Sequence, residues 1–258
     1  MRVPAILRHA EAPAIHDLDC PSTVAVHHRI IRSKPFLESV YRSFYREVVR
    51  NLPAPRTGII VEIGSGAGFL NDILPDVVTS DVMPIDNIDV CFSGHAMPLH
   101  DGSIDALVMV NVFHHIPDTL AFLREASRCL VPGGRLVMVE PANTPWSRFV
   151  FRTFHHEAFD PQAGWGLSTS GPLSSANGAL PWIVFERDRH ERLVRECPSL
   201  RVASIAYHSP FRYLISGGLT LRQLAPSSWF PVCTFLEWAL TPFMRVLGMF
   251  MTITVERV

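Results

Sequence analysis

The chain has 258 residues, 23 Lys and Arg against 24 Asp and Glu, a formal net charge of −1 and 48% hydrophobic residues. That length suffices to bury a substantial core, and a charge near zero argues against an electrostatic nucleic-acid footprint. Five widely spaced cysteines, Cys20, Cys91, Cys129, Cys197 and Cys233, form no disulfide framework or zinc spacing, which together with the lack of a signal peptide points to a reducing, cytoplasmic setting. Lys34 is the only lysine.

Residues 1–26 read as irregular, and His27 to Leu52 as helical, with Ile31, Phe36, Leu37, Val40, Tyr41, Phe44, Tyr45 and Val48 on recurring faces. Gly58 to Ile63 reads as a short buried strand of β-branched residues, followed by Gly64-Ser65-Gly66-Ala67-Gly68 and then a helix. Glycines there let the backbone turn sharply and approach a ligand closely, beside the N–H groups of a helix N-terminus. The spacing is GxGxG with Glu62 two residues before, whereas the dinucleotide fingerprint is GxGxxG. Glu62 would repel a pyrophosphate and attract an ammonium.

This loop resembles motif I of the class I S-adenosylmethionine (SAM) dependent methyltransferases, in the methyltransferase type 11-like group. The resemblance implies that Glu62, Gly64, Ser65, Gly66 and Gly68 surround the methionine end of SAM. Val77 to Ser80 predicts a second strand with Asp81 at its end, where open α/β folds use a carboxylate to bind ribose hydroxyls. The stretch Ser93 to Asp105 looks like the family segment DAxxLPFxDxSFD, whose leading Asp accepts from the adenine amino group. Ser93 stands at that position, so the adenine contact falls to its hydroxyl, to Gly94 N–H or to His95.

Asp105 to Asn111 reads as a fourth strand, leading into Val112-Phe113-His114-His115-Ile116-Pro117-Asp118, a loop that the resemblance sets beside the SAM methyl group, with Asn111 bordering the sulfonium. Thr119 to Leu130 predicts an amphipathic helix stopped at Pro132-Gly133-Gly134, and Arg135 to Val139 a fifth strand running into Glu140. EASRCLVPGGRLVMVEP is a second signature of the same family.

Asn143 to Leu180 is long and aromatic, which favours an ordered lid over a linker. Pro181 to Cys197 predicts a charged helix, Leu200 to His208 a sixth strand, and Met251 to Val258 a seventh, which the resemblance implies runs antiparallel at the sheet edge. Between these strands, 209–250 is strongly apolar. Within it, 229–251 is interrupted by Pro231, Glu237, Pro242 and Arg245, which predicts two short helices rather than a membrane span. Core or dimer interface, substrate wall and peripheral membrane patch all suit that composition.

These elements describe one doubly wound, Rossmann-like α/β unit over 1–258 with a seven-stranded sheet. Residues 1–57 form a helical cover, 58–142 the SAM-binding core, 143–181 the lid and 209–250 the apolar insertion. SAM chemistry needs a general base only for a protonated acceptor, and histidine suits that role. The candidates are His114 and His115 after strand four, and His155 and His156 in the lid. The lid pair, with Glu157 and Asp160 close by, allows a base with an orienting acid, a hydrogen-bonded clasp or a metal site. No metal is expected, because adjacent histidines lack the HxxxH spacing of one helical face. The expected activity is methyl transfer (EC 2.1.1.-) to a small or medium apolar acceptor such as a lipid, quinone or polyketide. A non-catalytic SAM-fold partner and a nucleotide-dependent oxidoreductase are the competing classes. Peripheral membrane contact through 229–250 and homodimerisation are the expected associations.

Overall fold

The computed structural model describes residues 8–11, 17–54, 58–155, 157–169 and 171–258. Helix α1 spans Pro21–Ser33 and α2 spans Pro35–Asn51, so the helical cover starts six residues before the predicted His27. Lys34 separates them for a local reason. The residue before a proline is pushed out of the helical region, and Lys34 takes φ −117° and ψ 89°, after which Pro35 opens α2 at its first position. The predicted apolar face of α2 is buried from Phe36 through Val48.

The strands are β1 (Ile60–Ile63), β2 (Val78–Asp81), β3 (Val90–Cys91), β4 (Ile104–Val110), β5 (Leu130–Pro141), β6 (Leu200–His208) and β7 (Phe250–Arg257). They form one seven-stranded sheet in the order β3-β2-β1-β4-β5-β7-β6. β1 to β5 pair in parallel, while β7 is antiparallel to both β5 and β6. β7 is thus not at the edge, as the resemblance had implied; β6 is. The reason is burial: Phe250 to Val255 are all buried, a pattern that suits a strand flanked on both sides, whereas β6 alternates with exposed residues.

No α-helix follows the glycine loop. Leu70–Asp72 forms a single 3-10 turn, because Pro75 leaves too few residues after Gly68 for a helix to nucleate. The loop is held instead by contacts to α2 and β2. Helix α3 (Thr119–Cys129) is capped by Asp118, whose carboxylate accepts from Ala121 N–H at 3.0 Å.

In the lid, α4 (Pro145–Phe154) is followed by a segment bound to the loop after β4. Asn177 N–H donates to His114 O at 2.9 Å, Leu167 N–H to Pro117 O at 3.0 Å, and Thr119 Oγ1 to Trp165 O at 2.6 Å. The predicted charged helix is instead two short α turns, α5 (Leu180–Trp182) and α6 (Val194–Glu196), joined by π-helical turns at Ile183–Arg187 and Arg189–Leu193. The first π turn brings the consecutive Ile183, Val184 and Phe185 all inside. The apolar insertion holds α7 (Arg212–Ser216), α8 (Phe230–Ala239) and α9 (Met244–Leu247). Among the described residues, no helix is long and apolar enough to cross a membrane.

Candidate active site

A cleft of about 520 Å³ opens where the carboxyl ends of β1, β2 and β4 meet α2 and the two insertions. Its floor is the glycine loop. Gly64 and Gly66 take φ +68° and +46°, conformations open to glycine, and a Cβ on Gly64 would stand 2.7 Å from the Val112 methyls. At Gly68 a Cβ would come within 2.4 Å of Tyr45 Oη, and Phe69 N–H donates to that hydroxyl at 3.0 Å. The glycines therefore serve close packing against α2 as well as the cleft.

Two carboxylates stand at this end. Glu62 is buried and hydrogen-bonded to the Ser65 hydroxyl, and burial pushes its pKa up to about 7, with the Asp81 charge adding to the rise. Asp81 accepts from Gly66 N–H at 3.0 Å and Met83 N–H at 2.9 Å; burial raises its pKa despite these bonds. Asn111, at φ +58°, turns the chain out of β4 and shares a hydrogen bond with Tyr41.

At the other end lie the histidines. Glu140, fully buried, accepts from Val112 N–H at 2.8 Å and Phe113 N–H at 2.7 Å through Oε1, while Oε2 lies 2.6 Å from His114 Nδ1. His114 Nε2 lies 3.5 Å from Glu157 Oε2. Burial works against its imidazolium, but the charges and hydrogen bonds of Glu140 and Glu157 prevail and hold its pKa at about 10. The two carboxylates thus favour the protonated imidazole of His114, which works against a role as general base. Next to it, His115 donates from Nδ1 to Ser175 O at 2.8 Å; burial and the His114 charge lower its pKa to about 4. Glu157, also within 3.7 Å of His155 Nδ1, stays well below the usual carboxylate range: burial opposes this, and the His114 bond and charge outweigh it.

The cleft brings together Glu62, Gly64, Ser65, Gly66, Gly68, Asp81, Asn111, His114, His115 and His155 from the expected set. Ser93, Gly94 and His95 do not line it. Ser93 Oγ accepts from His95 N–H at 3.3 Å, Gly94 packs under the Phe122 ring, and His95 Nε2 is buried without a partner. His156 lies outside the described residues. Sequence reasoning missed Glu140 as the anchor of the post-β4 loop. The signal was available: a carboxylate closing the otherwise apolar run Leu136 to Val139 needs buried partners.

A parallel sheet carrying a reversed β7, with a glycine loop after β1 and a carboxylate after β2, defines the class I methyltransferase architecture. Residues 61–138 match the family profile described as Methyltransferase domain, and this segment is a class I SAM-dependent methyltransferase domain. The fold is shared with a Thermotoga maritima SAM-dependent methyltransferase described as a possible histamine N-methyltransferase, at TM-score 0.55 and 16% identity over 92% of this chain and 97% of that one. It is also shared with geranyl diphosphate C-methyltransferase from Streptomyces coelicolor A3(2), crystallised with Mg2+, geranyl diphosphate and S-adenosylhomocysteine, at TM-score 0.52 and 14% identity over 86% of this chain and 82% of that one. Among curated proteins, an uncharacterized 37.1 kDa protein in a Streptomyces fradiae transposon is 53% identical over 47 residues, 18% of this chain and 14% of that protein.

Proposed function

We propose that the protein transfers the methyl group of SAM to a small or medium, largely apolar acceptor. The observation that carries this reading is the cleft that joins the glycine loop and two carboxylates at one end to apolar side chains from the lid, the insertion and β7. Glu62 and the glycine loop would hold the methionine portion, Asp81 the ribose, and Val82 with Met83, directly after Asp81, the adenine. Phe151 from the lid, Tyr213 and Leu219 from the apolar insertion, and Phe250 from β7 supply the acceptor wall. The chemistry then rests mainly on alignment, since the sulfonium already makes the methyl carbon electrophilic. Calorimetry checks the site: Gly66→Val forces a branched side chain onto a positive φ, Asp81→Ala removes the ribose acceptor, and both should abolish or strongly weaken SAM binding. Unchanged affinity in both would refute the assignment. Release of S-adenosylhomocysteine with lipid, quinone and polyketide acceptors then tests the acceptor class.

A second reading, peripheral membrane attachment, is favoured by the outer face of α8 and α9. Glu237, one of the two charges in this stretch, is buried: its Oε1 accepts from Phe211 N–H at 3.0 Å and Arg212 N–H at 2.9 Å, and its Oε2 pairs with the Arg212 guanidinium. That leaves Trp229, Val232, Phe235, Leu236, Trp238, Phe243 and Val246 each more than half exposed. In liposome flotation, Phe235→Asp with Trp238→Asp should lose vesicle binding while keeping SAM affinity. Equal flotation of both proteins, or none by the parent, would reject attachment, and a dimer in sedimentation would assign the face to a second copy.

A further inference from the structure

We infer that His114, His115 and Glu157 form a binding site for a divalent transition-metal ion at the acceptor end of the cleft. Their ligand atoms all lie within 4.8 Å of one another, and no other group of three His, Cys, Asp or Glu residues of this kind occurs among the described residues. Adjacent histidines cannot share one face of an α-helix, but these two lie on the tight 3-10 turn Phe113–His115. Their rings sit 4.2 Å apart between centroids, inclined by 40°.

The orientation of each imidazole is the second observation. A ligating histidine characteristically gives its other ring N–H to a carboxylate or a backbone carbonyl, which fixes the ring and the tautomer. His114 directs Nδ1 to Glu140 at 2.6 Å, and His115 directs Nδ1 to Ser175 O at 2.8 Å. A carbonyl can only accept, so His115 carries its proton on Nδ1 and presents Nε2 as a lone pair. His114 presents Nε2 toward Glu157, 3.5 Å away, where an ion would take the place of the shared proton. Glu140 and Glu157 provide two negative charges, which a divalent ion balances.

All three ligands line the cleft, so an ion and a further ligand have access. Two nitrogens and one carboxylate suit Zn2+, Co2+, Mn2+ or Fe2+ and disfavour Mg2+ and Ca2+, which prefer oxygen ligands throughout. Metal–ligand bonds of about 2.1 Å in a tetrahedral site set ligand atoms about 3.4 Å apart, so the widest of these separations must close by up to about 1.4 Å. Three protein ligands leave an open position facing the cleft, the arrangement of catalytic sites. Resting on the methyltransferase reading above, that position would take an acceptor oxygen. A phenol or enol bound there loses its proton to solvent; its oxygen then forms a bond to the methyl carbon as the C–S bond breaks, leaving neutral S-adenosylhomocysteine.

The test uses the full, tag-free chain, stripped with chelator and reloaded with Co2+ or Zn2+. Metal analysis should find about one equivalent retained after gel filtration, and Co2+ should give a visible d–d band of low-symmetry N/O coordination. Glu157→Gln and His115→Ala should each weaken binding by more than about tenfold. Far-UV circular dichroism and SAM calorimetry on the same samples separate this outcome from misfolding and from failure of the SAM site. Should one variant not fold, the other decides. Retention well below one equivalent by the parent, or equal binding by parent and a folded variant, overturns the site and leaves the cluster as an ion-paired clasp between lid and core.

Discussion

Glu62 and Glu157 line opposite ends of one cleft, and their charges are governed in opposite ways. Burial pushes Glu62 up to about 7, with the Asp81 charge adding to the rise, whereas His114 holds Glu157 ionised despite its burial. In the proposed function the Glu62 end would take a cation from outside, the ammonium of the methionine portion of SAM. At the lid end the charge is already matched within the chain. Among the described residues the first end leaves its carboxylates without an ion pair, while the second joins lid and core through His114 and Glu157.

Breaking the matched end should have the largest effect. Glu140→Ala strands the His114 charge and two buried N–H groups, and should destabilise the protein by about 3–5 kcal/mol in urea unfolding. Loss below about 1 kcal/mol would mean the anchor is not coupled to the fold. At the open end, Glu62→Gln should leave stability near that of the parent or raise it, yet weaken SAM binding by about 2 kcal/mol, roughly 30-fold, at pH 8.

The same contrast predicts a pH dependence. Glu62 has a folded-state pKa above its unfolded value, so below the unfolded value the proton it holds supports the ligand-free fold, and that support fades as pH rises through about 7. Asp81, also raised by burial, acts in the same direction. If the SAM ammonium meets ionised Glu62, as proposed, the thermal shift SAM produces should grow from pH 5.5 to pH 8, and Glu62→Gln should flatten that rise. A shift independent of pH in the parent would show that Glu62 does not meet the ammonium. The smallest effect is expected for Ser93→Ala: less than about threefold in SAM affinity by calorimetry, since Ser93 does not line the cleft.

Legibility followed the range of the interactions. The α2 face could be read because a 3.6-residue period reports directly on which side is buried. The glycine loop could be read because its φ values and its 2.4 to 2.7 Å approaches exclude a side chain. Where the outcome depended on a partner far away in sequence, the reading failed. The edge position given to β7 overlooked that β5 and β6 both pair with it. Lys34, the only lysine, is buried, and its ammonium donates to Leu221 O at 2.8 Å, a tie from the cover helices to the apolar insertion across 187 positions that no local pattern announces.

By itself, the sequence determined the class of the domain and the place of its glycine loop, since sharp turns, strand runs and stop signals are local consequences of residue type. Only the tertiary structure decided that His114 sits between Glu140 and Glu157, that Glu140 anchors the post-β4 loop, and that Glu237 is buried while the aromatic residues around it face outward. Those outcomes depend on desolvation and on charges brought together from distant positions, and neither is encoded in the spacing of any one segment.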